Sequence, residues 1–176
     1  MLQTIDRPQP TEYPQVYQTY ISQLPEEGDV LTLLEQQATE LHSLMDGMDE
    51  KRAEEAYAEG KWTIKELLQH MLDSERVFAY RALCFARGEQ ASLPGFDENT
   101  YAANSHANAR TLQNLLEEYD NVRKSNLYLF RSFTPEALDT TGTANGKPVT
   151  VRGLIHVTAA HERHHLNILK DRYLKL

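Results

Sequence analysis

The chain is poor in cysteine, in basic charge and in long apolar runs, and each shortage excludes something. Cys84 is the one cysteine among 176 residues, so no disulfide can close within the chain. That suits a reducing cytoplasm, the compartment expected for this protein. Eighteen Lys and Arg stand against 26 Asp and Glu, a formal net charge of −8. Nucleic-acid phosphates call for a basic patch, so nucleic acid is not an expected partner. No apolar run reaches the ~20 residues of a membrane span, and the first residues carry no charged-then-apolar leader pattern, so no membrane partner is expected. What remains is a soluble chain, 40% hydrophobic and 25% charged, long enough for a single core.

Proline divides that chain. Pro8, Pro10, Pro14 and Pro25 forbid a continuous helix over residues 1–28. The interleaved Tyr13, Tyr17 and Tyr20 predict a strap lying on the remainder rather than a free tail. Residues 29–176 then read as one domain. Val30, Leu34, Ala38, Leu41, Met45 and Met48 recur at helical spacing and predict a first helix over 29–48. The charged stretch 49–61 reads as a linker. Thr63 with Glu66 forms a capping box, and Trp62 holds the staple position, so a second helix starts there and runs to about residue 87, ended by Gly88. Residues 92–104 read as a covering loop around Pro94-Gly95-Phe96-Asp97. A third helix follows over about 108–133, then a short turn capped by Thr134 ahead of Pro135. Asn145-Gly146 suits a hairpin turn, and Thr150 caps the last helix. Four long amphipathic helices predict an all-α four-helix bundle with an extended N-terminal arm, a fold that builds metal sites from facing side chains.

The last helix carries the string HERHH at 161–165. Leu154, Thr158, His161, His165, Ile168 and Arg172 follow one another at gaps of three and four, the stripe of an amphipathic helix. At ~100° per residue His161 and His165 lie roughly 40° apart near the middle of that stripe. His164 falls to the other side of His161, and His156 points well away. A lone inward histidine is usually a hydrogen-bonded core residue, whereas two of them one turn apart can share a metal ion. His70 on the second helix shares a flank with Leu67, Ser74, Val77 and Arg81, which allows it to face the last helix.

These residues carry a family resemblance. The stretches Lys61-Trp62-Thr63-Ile64-Lys65-Glu66, His70-Met71-Leu72-Asp73-Ser74-Glu75-Arg76, Leu93-Pro94-Gly95-Phe96-Asp97 and His161-Glu162-Arg163-His164-His165 occur in order. Together they resemble the DinB family, or DinB/YfiT-like superfamily, from about residue 28 to the end. The resemblance implies a four-helix bundle, often a homodimer, whose divalent metal is held by three histidines. Matched by position, the implied ligands are His70, His161 and His165, with His164 a neighbour. It further implies an enzyme of detoxification or stress response that adds a low-molecular-weight thiol to a small electrophile. A metal-dependent hydrolase and a non-catalytic metal-binding bundle stand as alternatives.

The chemistry of three histidines agrees with such a role. Neutral imidazoles leave a divalent ion its full charge and at least one open position, which suits a reactive site more than a structural one. Zinc would be tetrahedral, while nickel, iron or manganese take more ligands. Asp73, Glu75 and Glu162 are the nearest carboxylates in sequence that could accept from the outer ring nitrogens, although Glu75 lies roughly 140° from His70 and is expected to face a neighbouring helix. Arg81 and the 94–97 loop are candidates for the pocket mouth, Arg81 as an anion-holding residue. Cys84 reads as a packed thiol.

Overall fold

A computed structural model describes residues 4–176. Its four long helices are α1 (Val30–Met45), α2 (Ile64–Ala86), α3 (Leu112–Arg131) and α4 (Val151–Ile168). Each begins where a side chain satisfies an orphan amide: Asp29 accepts from Thr32, Thr63 from Glu66, Thr111 from Asn114 and Thr150 from Gly153. Thr63 and Glu66 complete the capping box reciprocally. No described helix is long and apolar enough to cross a membrane.

The apolar side chains gather into two clusters, one toward each end of the bundle. The first holds Leu34, Phe78, Phe130 and Ile155; the second holds Leu41, Leu72, Leu115 and Leu166. Which end of each helix feeds which cluster defines the topology. α1 and α4 run from the first cluster to the second, while α2 and α3 run the other way. The order is therefore up, down, down, up. The parallel pair α2 and α3 needs a connection that travels back along the bundle, and residues 87–111 supply it.

That connection is more structured than the loop expected from its sequence. Leu93 pairs with the hairpin of β1 (Thr141–Ala144) and β2 (Lys147–Thr150), its amide donating to Thr143 and its carbonyl accepting from Asn145. A helix follows at Glu98–Asn104, capped by the Asp97 carboxylate. Its seven residues are too few to declare a period, which is why the pattern hid it. Asn145 and Gly146 both have positive φ, as the hairpin turn demands.

Two helix boundaries differ from expectation. α1 stops at Met45 and a short helix, Glu50–Ala53, occupies the expected linker. The buried Lys65 draws it in: the ammonium sits 2.7 Å from both Glu50 and Glu54. α3 starts at Leu112 rather than near 108, because Thr111 caps it. α4 also departs from its one-sided stripe. It is buried almost all round from Val151 to Ala160, while Arg172 is exposed beyond its end, where the backbone turns into a π-helix over Leu169–Leu174. The extra cover comes from the N-terminal arm, whose Ile5, Tyr13, Ile21 and Leu24 are buried in the first cluster. The Thr150 amide donates to the Glu12 carbonyl, and a Cβ on Gly153 would sit 2.4 Å from that oxygen. Only glycine lets the arm approach so closely.

Candidate metal centre

Between the two apolar clusters lies a polar layer, and the histidines stand at its edge. Gln37 of α1 donates to the Ala159 carbonyl. Arg123 of α3 grips Glu75 of α2 with two nitrogens, at 3.1 and 2.8 Å, and reaches Glu162 of α4 at 2.5 Å. Its remaining arm donates to the Leu34 carbonyl, and the Tyr119 hydroxyl donates to Glu162. All these groups are buried. Burial pulls the Arg123 guanidinium down, but the two carboxylates outweigh it and hold the charge firmly. Glu162 is pushed up by burial against the pull of Arg123. Two carboxylates against one guanidinium leave the layer with an excess of negative charge. Glu75 thus faces a neighbouring helix, as its helical phase predicts.

His70, His161 and His165 converge beside this layer. Their Nε2 atoms stand 3.0 Å (His70–His161), 3.1 Å (His70–His165) and 3.1 Å (His161–His165) apart. Hydrogen bonding alone cannot account for such a triangle. Each ring nitrogen carries either a proton or a lone pair, so at least one of the three pairs must set proton against proton or lone pair against lone pair. One cation accepting three lone pairs resolves the conflict. A triangle with these edges puts its centre about 1.8 Å from each corner, within reach of the ~2.0–2.1 Å bonds that imidazoles make to zinc. The donor set therefore fits a divalent metal.

The trio is also held in the protonation state that a metal needs. Burial brings His70 down to about 4, and burial followed by neighbouring imidazoles keeps His161 and His165 well below the usual value. His156, elsewhere on α4, is likewise held near 4 by burial, its Nδ1 against the Arg152 carbonyl. All are neutral at pH 7. An unfolded histidine, near 6.5, takes its proton first as pH falls. Stability is thus complete above about pH 6.5 and is lost between there and about pH 4. At 1.36 kcal/mol per pH unit, His70 alone accounts for roughly 3 kcal/mol. Urea melts of metal-free protein at about pH 7 and about pH 4.5 should show that drop; coincident midpoints would contradict it.

Around the trio the walls are largely aromatic. Trp62 lies 4.7 Å from His70 and Phe78 lies 5.6 Å from His161, centroid to centroid. His164 stands outside the triangle, stacked on Tyr20 at 4.4 Å. A cavity of about 250 Å³ reaches His165 between Tyr57, Lys61, Trp62, Asn99 and Tyr173. Ser74, one turn beyond His70, is fully buried and its hydroxyl lacks a partner among the described residues. Asp73 bonds Gln69, while Glu75 and Glu162 are committed to Arg123. Among the described residues none of these three carboxylates bonds a ring of the trio. Cys84 is half-buried against the first cluster. Arg123 escaped the sequence reading, and Tyr20 was read only as part of the strap, since only tertiary contact brings them here; the fixed helical phase of Arg123 relative to Tyr119 was the one available signal.

Residues 33–169 match the model of the DinB superfamily. The chain belongs to the DinB superfamily. A protein of Oceanobacillus iheyensis, provisionally named a metal-dependent hydrolase, is 24% identical over 142 residues, covering 80% of this chain and 81% of its own. YfiT from Bacillus subtilis, described as a probable metal-dependent hydrolase with an unusual four-helix bundle topology, superposes with a TM-score of 0.73 at 17% identity, over 81% of this chain and 85% of that one. The DinB-type bundle and its helical topology are therefore shared, and the three-histidine cluster lies within the matched region.

Proposed function

We propose that His70, His161 and His165 hold one divalent metal, and that the protein is a metal-dependent enzyme acting on a small molecule in the adjoining cavity. The Nε2 triangle carries this reading, because a shared cation accepts all three lone pairs at once and removes the like-against-like contact. The negative excess of the Glu75–Arg123–Glu162 layer favours positive charge beside it. A divalent ion in that place would lower the pKa of a water or a thiol enough to supply a nucleophile at neutral pH. The chain itself contributes orientation and dryness: Trp62 and Phe78 wall the trio, and His164 and Tyr20 close the arm side.

Hydrolysis is the first reading, supported by the names of the relatives. Thiol transfer to an electrophile is the second, and one observation favours it. Hydrolysis gains from a carboxylate poised to take a proton, yet Glu75 and Glu162 are tied to Arg123 and Tyr119. A thiol that is deprotonated on binding asks for no such base. An assay of the zinc-, nickel- and manganese-loaded protein separates the two. Turnover of esters or amides without thiol supports the hydrolase, and metal-dependent consumption of an electrophile only with added thiol supports the transferase. Neither activity with the metal fully bound would overturn both.

A further inference from the structure

Arg81 is a cation with no anion paired to it among the described residues. It is 5% exposed, makes no ion pair with any described residue, and uses one nitrogen to donate to the Pro94 carbonyl at 2.7 Å. A buried guanidinium without a carboxylate is costly, and holding one carbonyl does not require a charge. Its place is telling. Arg81 stands eleven residues after His70 on α2, three turns on and within roughly 20° of the same face, about 16 Å along the axis. Helical side chains lean toward the helix N-terminus, which for Arg81 means toward His70.

Residues of the arm and of the crossover segment stand near both. Tyr17 lies edge-on to Phe78 at 6.2 Å, and Phe78 is against His161. Both Arg81 and Glu98 act electrostatically on Tyr17, and Glu98 acts on His70 as well, so these four groups share one neighbourhood. The Pro94 carbonyl that steadies Arg81 is fixed by the Leu93–hairpin pairing.

We propose that Arg81 determines specificity, its guanidinium taking a carboxylate at the far end of the molecule whose reacting end lies at the three histidines. The fork of a guanidinium matches a planar carboxylate with two parallel hydrogen bonds. A single cation suits a monoanion and disfavours a doubly charged phosphate. The inference rests on the trio being a metal centre.

Cobalt-loaded protein tests it, since hydroxamates that reach the ion alter its visible absorption. Alkyl hydroxamates of four, six and eight carbons are titrated in two series, one ending in methyl and one in carboxylate. At one chain length the carboxylate is expected to bind roughly tenfold tighter or more. Arg81→Met should bring that ratio to about one without weakening the methyl series. Arg81→Lys, which keeps the charge but loses the fork, should retain part of it. Equal binding of both series to the unaltered protein, or a ratio untouched in Arg81→Met, overturns the assignment of Arg81 and leaves the metal centre standing. Failure of cobalt to bind at all would bring down the metal centre and this inference with it.

Discussion

Alanine at His70, His161 or His165 is expected to weaken divalent-metal binding by well over 100-fold. Loss of a partner outside the coordination shell already costs ~10–100-fold, and these residues supply the donor atoms themselves. The triangle also makes the three losses equivalent, since each nitrogen stands 3.0–3.1 Å from the other two. His164→Ala serves as the control: its ring stacks on Tyr20 outside the triangle, so metal binding should stay near that of the unaltered protein. Competition against a chelator of known affinity, with metal counted by elemental analysis, reads the effect. A second expectation follows for the metal-free protein. Because His165 Nδ1 is buried without a partner among the described residues, His165→Ala should cost the empty fold less than deletion of an ordinary core side chain. Equal metal content in all four variants would refute the site.

Arg123→Met is expected to be the most damaging single change to stability. It leaves Glu75 and Glu162 facing each other in the bundle interior with their common counter-charge gone. Removing one partner of a buried ion pair costs about 3–5 kcal/mol, and here the Leu34 carbonyl and the Tyr119–Glu162 contact lose their neighbour too. Methionine keeps the volume, which isolates the electrostatic loss from packing. Restoring neutrality should recover much of it, so Glu75→Gln with Glu162→Gln added to Arg123→Met is expected to melt well above Arg123→Met alone. Urea denaturation at neutral pH measures both. A loss under about 1 kcal/mol would show that the layer is solvated, contrary to its burial.

The parts of this protein that follow a local rule were legible before any coordinates. Thr63 and Glu66 made the start of α2 readable because a capping box is complete within four residues. Asn145-Gly146 announced the hairpin because few residues accept positive φ. His161 and His165 were placed on one face by helical geometry alone, and His70 was added by phase and by resemblance. Longer-range effects were not legible. The helix at Glu98–Asn104 is too short to show a period, and Glu50–Ala53 is held by Lys65 from another element. The inward stripe of α4 became a nearly complete buried circumference once the arm lay across it.

Helix spacing, caps, composition and charge by themselves determined that this chain makes four helices and aims two histidines to one side, because those features depend on residues a few positions apart. Tertiary structure alone decided that His70 completes a triangle with them, that Arg123 joins Glu75 to Glu162 behind it, and that Arg81 is buried without a counter-ion among the described residues. Each of these depends on how helices distant in sequence are set against one another. The long crossover between α2 and α3 and the glycine-permitted approach of the arm to α4 govern that arrangement.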